Sequence, residues 1–383
     1  MADATAELAS RGWRVVVYTA NRGYDDPSVR YPAREILNGV EVQRLGLSSF
    51  GKKTILIRLL GQLSFLAQCT IRGLLTRRLA GLFFTTSPPM AAIAALIISW
   101  CRRVPAKYWV MDLNPDQAVL TGKVKAQALS VRAFDWLNRR ILGRAADVVT
   151  LDRFMAGRLM DKRHIEGKLA VMPPWPHDDH LEVVEHKDNP FRSEHHLDGK
   201  FVIMYSGNHS PSHPLTTIVE AALRLKGRDE LSFMFIGGGM AKQEVEKAIA
   251  EHHPDHILSL PYQPLDRIKY SLSAADVHLV VMGDHVVGCV HPCKVYGAMA
   301  LCRPILLLGP SPCHVSDLID EHHIGWHIPH GDVEGAVATI QRILETDRRK
   351  LAEMGRRARE VVESKLSKQI LSRRFCDVIE RGL

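Results

Sequence analysis

The feature that most constrains this chain is an alternation of short, unbroken apolar runs with stretches of helical pattern. Runs such as FVIM (201–204), FMFI (233–236) and ILLL (305–308) show no polar alternation. Strands of that kind are buried on both faces, which happens where helices cover both sides of a parallel sheet. In the first half, strands are expected over 14–19, 40–45, 82–86, 107–111, 147–151 and 169–172. In the second half they are expected over 201–206, 232–236, 257–260, 277–281, 305–308 and 325–328. Helices fall between most of them, for example over 215–226, 240–252 and 294–302. This β-α-β order implies an α/β architecture of doubly wound, Rossmann-like sheets.

The rhythm breaks once. PPWPHDDHLEVVEHKDNPFRSEHHLDG (173–199) is rich in Pro, Asp and His and has no period, a linker composition. It divides the chain into a first domain over 1–175, a linker over 176–199 and a second domain over 200–383, whose last helix can return to the first domain. Two such domains leave a central cleft between the carboxyl ends of their sheets, where ligands of open α/β sheets bind. At the start, a helix over 5–11 leads through Gly12 into the strand at 14–19. The strand that normally opens such a domain is therefore expected to be missing.

Charge is unevenly placed. The net charge is +8, but residues 1–150 hold 21 Lys and Arg against 10 Asp and Glu. A basic first half suits anionic phospholipid or anionic small molecules. No basic stripe interleaved with aromatics occurs, so nucleic acid is not an expected partner. No segment has the roughly 20 uncharged apolar residues of a membrane span, and no signal peptide is read. The run 54–71, with Lys52 and Lys53 before it and Arg77 and Arg78 after, reads either as an amphipathic helix packed on its own domain or as a membrane-surface helix. Seven cysteines without a C-x-x-C pair point to a reducing, cytoplasmic setting. The spacing of Cys289, His291 and Cys293 matches no zinc site, so no metal is expected.

Candidate site residues sit where strands end and helices begin. In YSGNHSPSHPLTT (205–217), Gly207 lets the backbone approach a ligand, and Asn208, His209 and His213 follow it at the sheet's top. Gly237 and Gly238 in FIGGG leave bare backbone against which a base or phosphate can lie. Tyr262 can cover a base. In HPCKVYGAMALCRPILLL (291–308), Pro292 suits a first helical turn, yet Lys294 places a cation where the helix dipole is already positive. A residue that breaks the local rule suggests an external anion, and a diphosphate would offset both charges. On the other side, MDLNPDQA (111–118) ends a strand with Asp112, Asn114 and Asp116. Carboxylates bind sugar hydroxyls and act as bases, although Asp116 also reads as a plain helix cap. TTSPP (85–89) adds a further loop on that rim.

In order, GWRVVVYTA, NGVEVQRL, TTSPP, MDLNPDQA, MPPWPHDD, YSGNHSPSH, FIGGG and HPCKVYGAMALCRPIL resemble glycosyltransferase family 4, which has the two-domain GT-B fold. The likeness is to the branch that transfers N-acetylated amino-sugars, such as fucosamine, in surface-polysaccharide assembly. It implies a retaining hexosyl transfer from a nucleotide-diphospho-sugar, most readily a UDP-sugar, to a lipid-linked or polysaccharide acceptor. No metal or other cofactor is implied. The donor would lie on the second domain at Gly207, Asn208, His209, His213, Gly237, Gly238, Tyr262, Pro292, Lys294 and Tyr296. Asp112, Asn114 and Asp116 would be the catalytic-side groups, orienting the acceptor hydroxyl or the sugar. The wider family has two glutamates where this chain has Cys289 and Gly297. The amino-sugar branch carries a P-x-K-x-Y pattern instead, matched by Pro292, Lys294 and Tyr296. Asn208 and His213 stand where the family often has Arg and Lys. The basic first domain would touch the inner face of an anionic membrane. A nucleotide-sugar-binding relative without activity, and an epimerase of the same shape, are the rival readings.

Overall fold

The computed structural model describes residues 1–22, 28–46, 55–88, 91–176 and 181–383, with backbone alone at 55, 56 and 58. Lys52, Lys53 and Thr54, Pro89 of the TTSPP loop, Met90, and linker residues 177–180 lie outside them. Contacts divide the chain into two compact units. The first holds residues 1–115, 125–173 and 369–383, and the second holds 116–124 and 174–368.

In the first unit the described strands form two sheets. One joins β1 (Val16–Ala20), β2 (Arg34–Leu37) and β3 (Val40–Leu45) in the order β1-β3-β2, with β1 parallel and β2 antiparallel to β3. Strand β2 was not among the strands expected from the sequence. Its signal is the Asn38-Gly39 pair, both at positive φ (48° and 79°), the backbone that a two-residue hairpin requires. The other sheet runs β4 (Leu82–Thr85), β5 (Ala106–Trp109), β6 (Asp147–Thr150) and β7 (Leu169–Val171), all parallel. The terminal helix Lys368–Glu380 packs on this sheet through Phe375, 4.5 Å from the Trp109 ring and 5.2 Å from Phe83. Lys107, 1% exposed, bonds Asp147 and the carbonyl of Arg381 beneath it.

The second unit has one six-stranded parallel sheet. Its strands are β8 (Phe201–Ser206), β9 (Leu231–Ile236), β10 (Ile257–Leu260), β11 (Val277–Val281), β12 (Ile305–Leu308) and β13 (Gly325–Ile328). The order is β10-β9-β8-β11-β12-β13. Both faces are covered, as the apolar runs require. Phe201, Ile203 and Tyr205 pack with helices Thr216–Arg224 and Val333–Leu344, while Val202 and Met204 pack on the other face with Phe191 and Ala274. The order reverses between β8 and β11, so the loops leaving these neighbours diverge and open a crevice at their carboxyl ends. The loops after β8, β9 and β11 carry the residues singled out above.

Candidate functional site

The loop after β8 is packed against the loop after β9 through bare backbone. The Gly207 amide bonds the Ile236 carbonyl at 2.9 Å, and the His209 amide bonds the Gly238 carbonyl at 2.8 Å. Gly237 has φ +128°, and a Cβ there would stand 2.0 Å from the Gly207 carbonyl oxygen. Gly207 has φ +131°, and a Cβ there would stand 2.5 Å from Lys294 Cε. Glycine is required at both positions for two reasons at once: the left-handed backbone and the space. Gly238 faces Tyr262, whose exposed hydroxyl donates to the Gly238 carbonyl at 3.3 Å. Lys242, which sequence reasoning missed, donates to the Gly237 and Leu260 carbonyls at 2.8 and 2.7 Å and ties the ends of β9 and β10 together.

Lys294, the first residue of helix Lys294–Ala300, leans over the end of β8. Its ammonium lies 3.9 Å from the centroid of the Tyr205 ring. It donates to the Tyr205 hydroxyl and, at 3.1 Å, to the Asn208 carbonyl. The Tyr205 hydroxyl in turn donates to the same carbonyl at 2.8 Å. Burial raises the Tyr205 pKa, so the phenol stays protonated and supplies no countercharge. Among the described residues no carboxylate pairs with the ammonium, and burial pulls its pKa down to about 7. A half-buried cation whose hydrogen-bond partners among the described residues are a phenol and a carbonyl gains a great deal from an anion.

Two histidines surround the same turn. His209 is fully buried and stacks edge-on against Tyr205. Its Nδ1 lies 3.0 Å from the Gly207 carbonyl, so Nδ1 carries the proton and Nε2 is left as a buried acceptor without a partner. His213 Nδ1 is likewise buried without a hydrogen bond. Burial, then the charge of Lys294, lowers the pKa of each imidazole to about 4. Both rings are neutral, and Lys294 is the cation of the loop.

The rest of the P-x-K-x-Y pattern is internal. Pro292 is buried. Tyr296, expected among the donor contacts, is 1% exposed, and its hydroxyl lies between His291 Nε2 at 2.7 Å and His314 Nε2 at 2.8 Å. It fixes the turn that presents Lys294. His291 was weighed from the sequence only as a metal ligand and His314 was missed, because nothing in the linear spacing of positions 291, 296 and 314 marks them as neighbours. Cys289 is fully buried, and a Cβ at Gly297 would meet, among the described residues, Leu181 at 3.9 Å.

Asp112 and Asn114 follow β5 in the first unit. Burial raises the pKa of Asp112 above the usual carboxylate range, which suits a proton-accepting group. Asn114 is exposed, and its carbonyl accepts from Asn138 at 2.6 Å. Asp116 is the first residue of helix Asp116–Leu120 instead of the cap before it, and its contacts group it with the second unit.

Residues 1–175 match the model of the glycosyl transferase 4-like domain, and residues 187–361 match that of glycosyl transferases group 1. The chain is 27% identical over 270 residues to the probable glycosyltransferase WbjE of Pseudomonas aeruginosa, covering 70% of this chain and 66% of that one. It is 27% identical over 237 residues to the putative colanic acid biosynthesis glycosyl transferase WcaI of Escherichia coli K12, covering 61% and 56%. The matches thus span about two thirds of the first relative's length and less of the second. Among solved structures, Anabaena Alr3699/HepE in complex with UDP and glucose superimposes with a TM-score of 0.71 at 13% identity, covering 98% of this chain and 94% of that one.

Proposed function

Because the chain belongs to the glycosyltransferases of GT-B fold, with a 4-like first domain and a group 1 second domain, we propose that it transfers a sugar, with retention, from a UDP-sugar to a lipid-linked or polysaccharide acceptor in surface-glycan assembly. The observation that carries this reading is Lys294. Its ammonium is half-buried, lacks a carboxylate partner among the described residues, and stands at the sheet's switch point beside backbone that only glycine allows. A nucleotide sugar is already activated, so the transfer chiefly requires stabilisation of the charge that develops on the departing diphosphate. Lys294 would supply that charge, with Gly207 and Gly237 admitting the phosphates. The bare backbone of Gly238 and the Tyr262 ring would hold the base. Asp112 would orient the acceptor hydroxyl or take its proton. WbjE supports glycosyl transfer, the colanic acid setting of WcaI supports glycan assembly, and the HepE complex supports UDP. The match to P-x-K-x-Y supports an N-acetylated amino-sugar donor. No bound metal or other cofactor enters the scheme.

The first unit carries the acceptor side of the proposal. Helix Ile55–Leu75 exposes Leu59, Leu60, Leu63, Ile71 and Leu75, and Trp100 is exposed on the neighbouring helix Ala91–Arg102. Arg77 and Arg78 follow the first helix, while Arg72 is held by Gln43 and Arg102 by the Leu74 and Thr76 carbonyls. Apolar side chains with arginines fit the cytoplasmic face of an anionic membrane, where a lipid-linked acceptor resides. No helix among the described residues is long and apolar enough to cross it. The protein should co-sediment with phosphatidylglycerol vesicles and be released by salt; binding that ignores salt would remove the electrostatic part of this surface.

The transfer itself is tested by incubating the protein with a panel of nucleotide sugars and measuring released nucleotide with and without a lipid-extract acceptor. Acceptor-dependent release is expected. Tight nucleotide-sugar binding without release from any donor would favour a non-catalytic binding protein.

A further inference from the structure

The second unit holds a cavity of about 420 Å³, within the range of small-molecule sites (about 300–1,000 Å³). It opens at the proline end of the loop after β8, whereas Lys294 leans on the glycine end. Ser212 forms part of its wall, and the Ser212 carbonyl is held by the Gly283 amide at 2.8 Å. No residue given to the diphosphate site lines it.

Its chemistry is the opposite of an anion site. No lysine or arginine lines it, while Glu220 and Asp284 do, each exposed and without a hydrogen-bond or ion-pair partner among the described residues. A phosphate or carboxylate ligand would face two uncompensated negative charges. A metal ion fits no better. Among the described residues, Glu220, Asp284, His285 and His330 do not bring three ligand atoms close enough to share an ion. Unpaired carboxylates accept strong hydrogen bonds from hydroxyls, and the exposed Leu120 in the lining offers apolar surface. Hydroxyl donors at the rim and an apolar ring face are the two sides of a pyranose.

We propose that this cavity is a saccharide subsite, separate from the diphosphate site, that takes an uncharged sugar ring through Glu220 and Asp284. The inference rests on the reading of the protein as a glycan-building enzyme. Two sources share this chemistry: the donor's own sugar, and a ring of the acceptor glycan.

The test is saturation-transfer NMR of the full chain with glucose, galactose, N-acetylglucosamine and lactose. At least one is expected to receive saturation. Its affinity should fall roughly tenfold or more in Glu220→Gln/Asp284→Asn, the loss of two charge-assisted hydrogen bonds, while UDP binding by calorimetry stays at the wild-type value and reports an intact fold. In Lys294→Ala the pattern should reverse, with UDP binding lost and the saccharide signal kept. Displacement of the saccharide by a UDP-sugar but not by UDP identifies the donor's sugar as the occupant. Coexistence with the UDP-sugar identifies an acceptor ring; either result supports the subsite. No saturation transfer to any of the four sugars, or transfer unchanged in the double variant, overturns it. Saccharide binding without UDP binding in the wild type would leave the subsite standing and remove the donor-site reading instead.

Discussion

Lys294 stands over Tyr205 with its ammonium 3.9 Å from the ring centroid and bonded to the phenol oxygen. The aromatic face and hydroxyl hold the cation, and on the proposed reading its counterion is the donor's diphosphate. Lys294→Ala should therefore weaken UDP-sugar binding tenfold or more, with the folding midpoint hardly moved, because the residue gives up no apolar core. Tyr205→Phe keeps the ring and removes the hydroxyl, and should cost only a fewfold. Calorimetric titration of both variants checks the order; equal affinities for wild type and Lys294→Ala would remove the diphosphate assignment.

The proposed diphosphate contact would make donor binding proton-linked through the same lysine. Its pKa in the free protein is about 7, lowered by burial, and a bound diphosphate raises it. Below pH 7 the ammonium is already formed and affinity is at its plateau. Above pH 7 binding must take up a proton, and affinity falls as pH rises. Calorimetry at pH 8 in two buffers of different ionisation enthalpy should show uptake approaching one proton, and none in Lys294→Ala. His209 and His213, with pKa values near 4, stay neutral across this range unless the bound anion raises them, in which case uptake exceeds one.

Gly207→Ala should damage the site before the fold. The new Cβ meets the flexible Lys294 side chain, which can move, so donor affinity falls as the ammonium is displaced. At Gly237 the obstacle is the Gly207 carbonyl itself, at 2.0 Å, and backbone cannot step aside. Gly237→Ala should cost on the order of 3 kcal/mol in denaturant unfolding. The opposite ranking of the two variants in stability would contradict this packing.

In the first unit, Lys107 is buried against Asp147 and the Arg381 carbonyl. Asp147→Ala strands the ammonium and should cost about 3–5 kcal/mol. Lys107→Met/Asp147→Leu removes both charges and should cost less than the single change. Urea titrations decide between them; a single variant as stable as wild type would mean that the buried ion pair between β5 and β6 contributes nothing to the fold.

Much of this molecule could be read without coordinates, and the residues show why. Strands β8, β10, β11, β12 and β13 lie where their apolar runs place them, since a strand buried on both faces admits nearly unbroken apolar sequence. Lys294 stood out in the sequence, because a cation at a helix entrance contradicts a rule that operates within one turn. Strand β2 escaped, since REIL is only partly apolar and gains its strand from pairing with β3. Lys242 and His314 escaped for a related reason: each acts through a partner 18 positions away, the Leu260 carbonyl or the Tyr296 hydroxyl. Local sequence determined the parallel sheets, the helix starts and the glycines that leave room for a ligand. Tertiary structure alone decided that Tyr205 and Lys294, 89 positions apart, share one carbonyl, and that burial there pulls the lysine's pKa down to about 7. Periodicity and turn chemistry act over a few residues, whereas desolvation and the absence of a countercharge depend on everything that folds around the group.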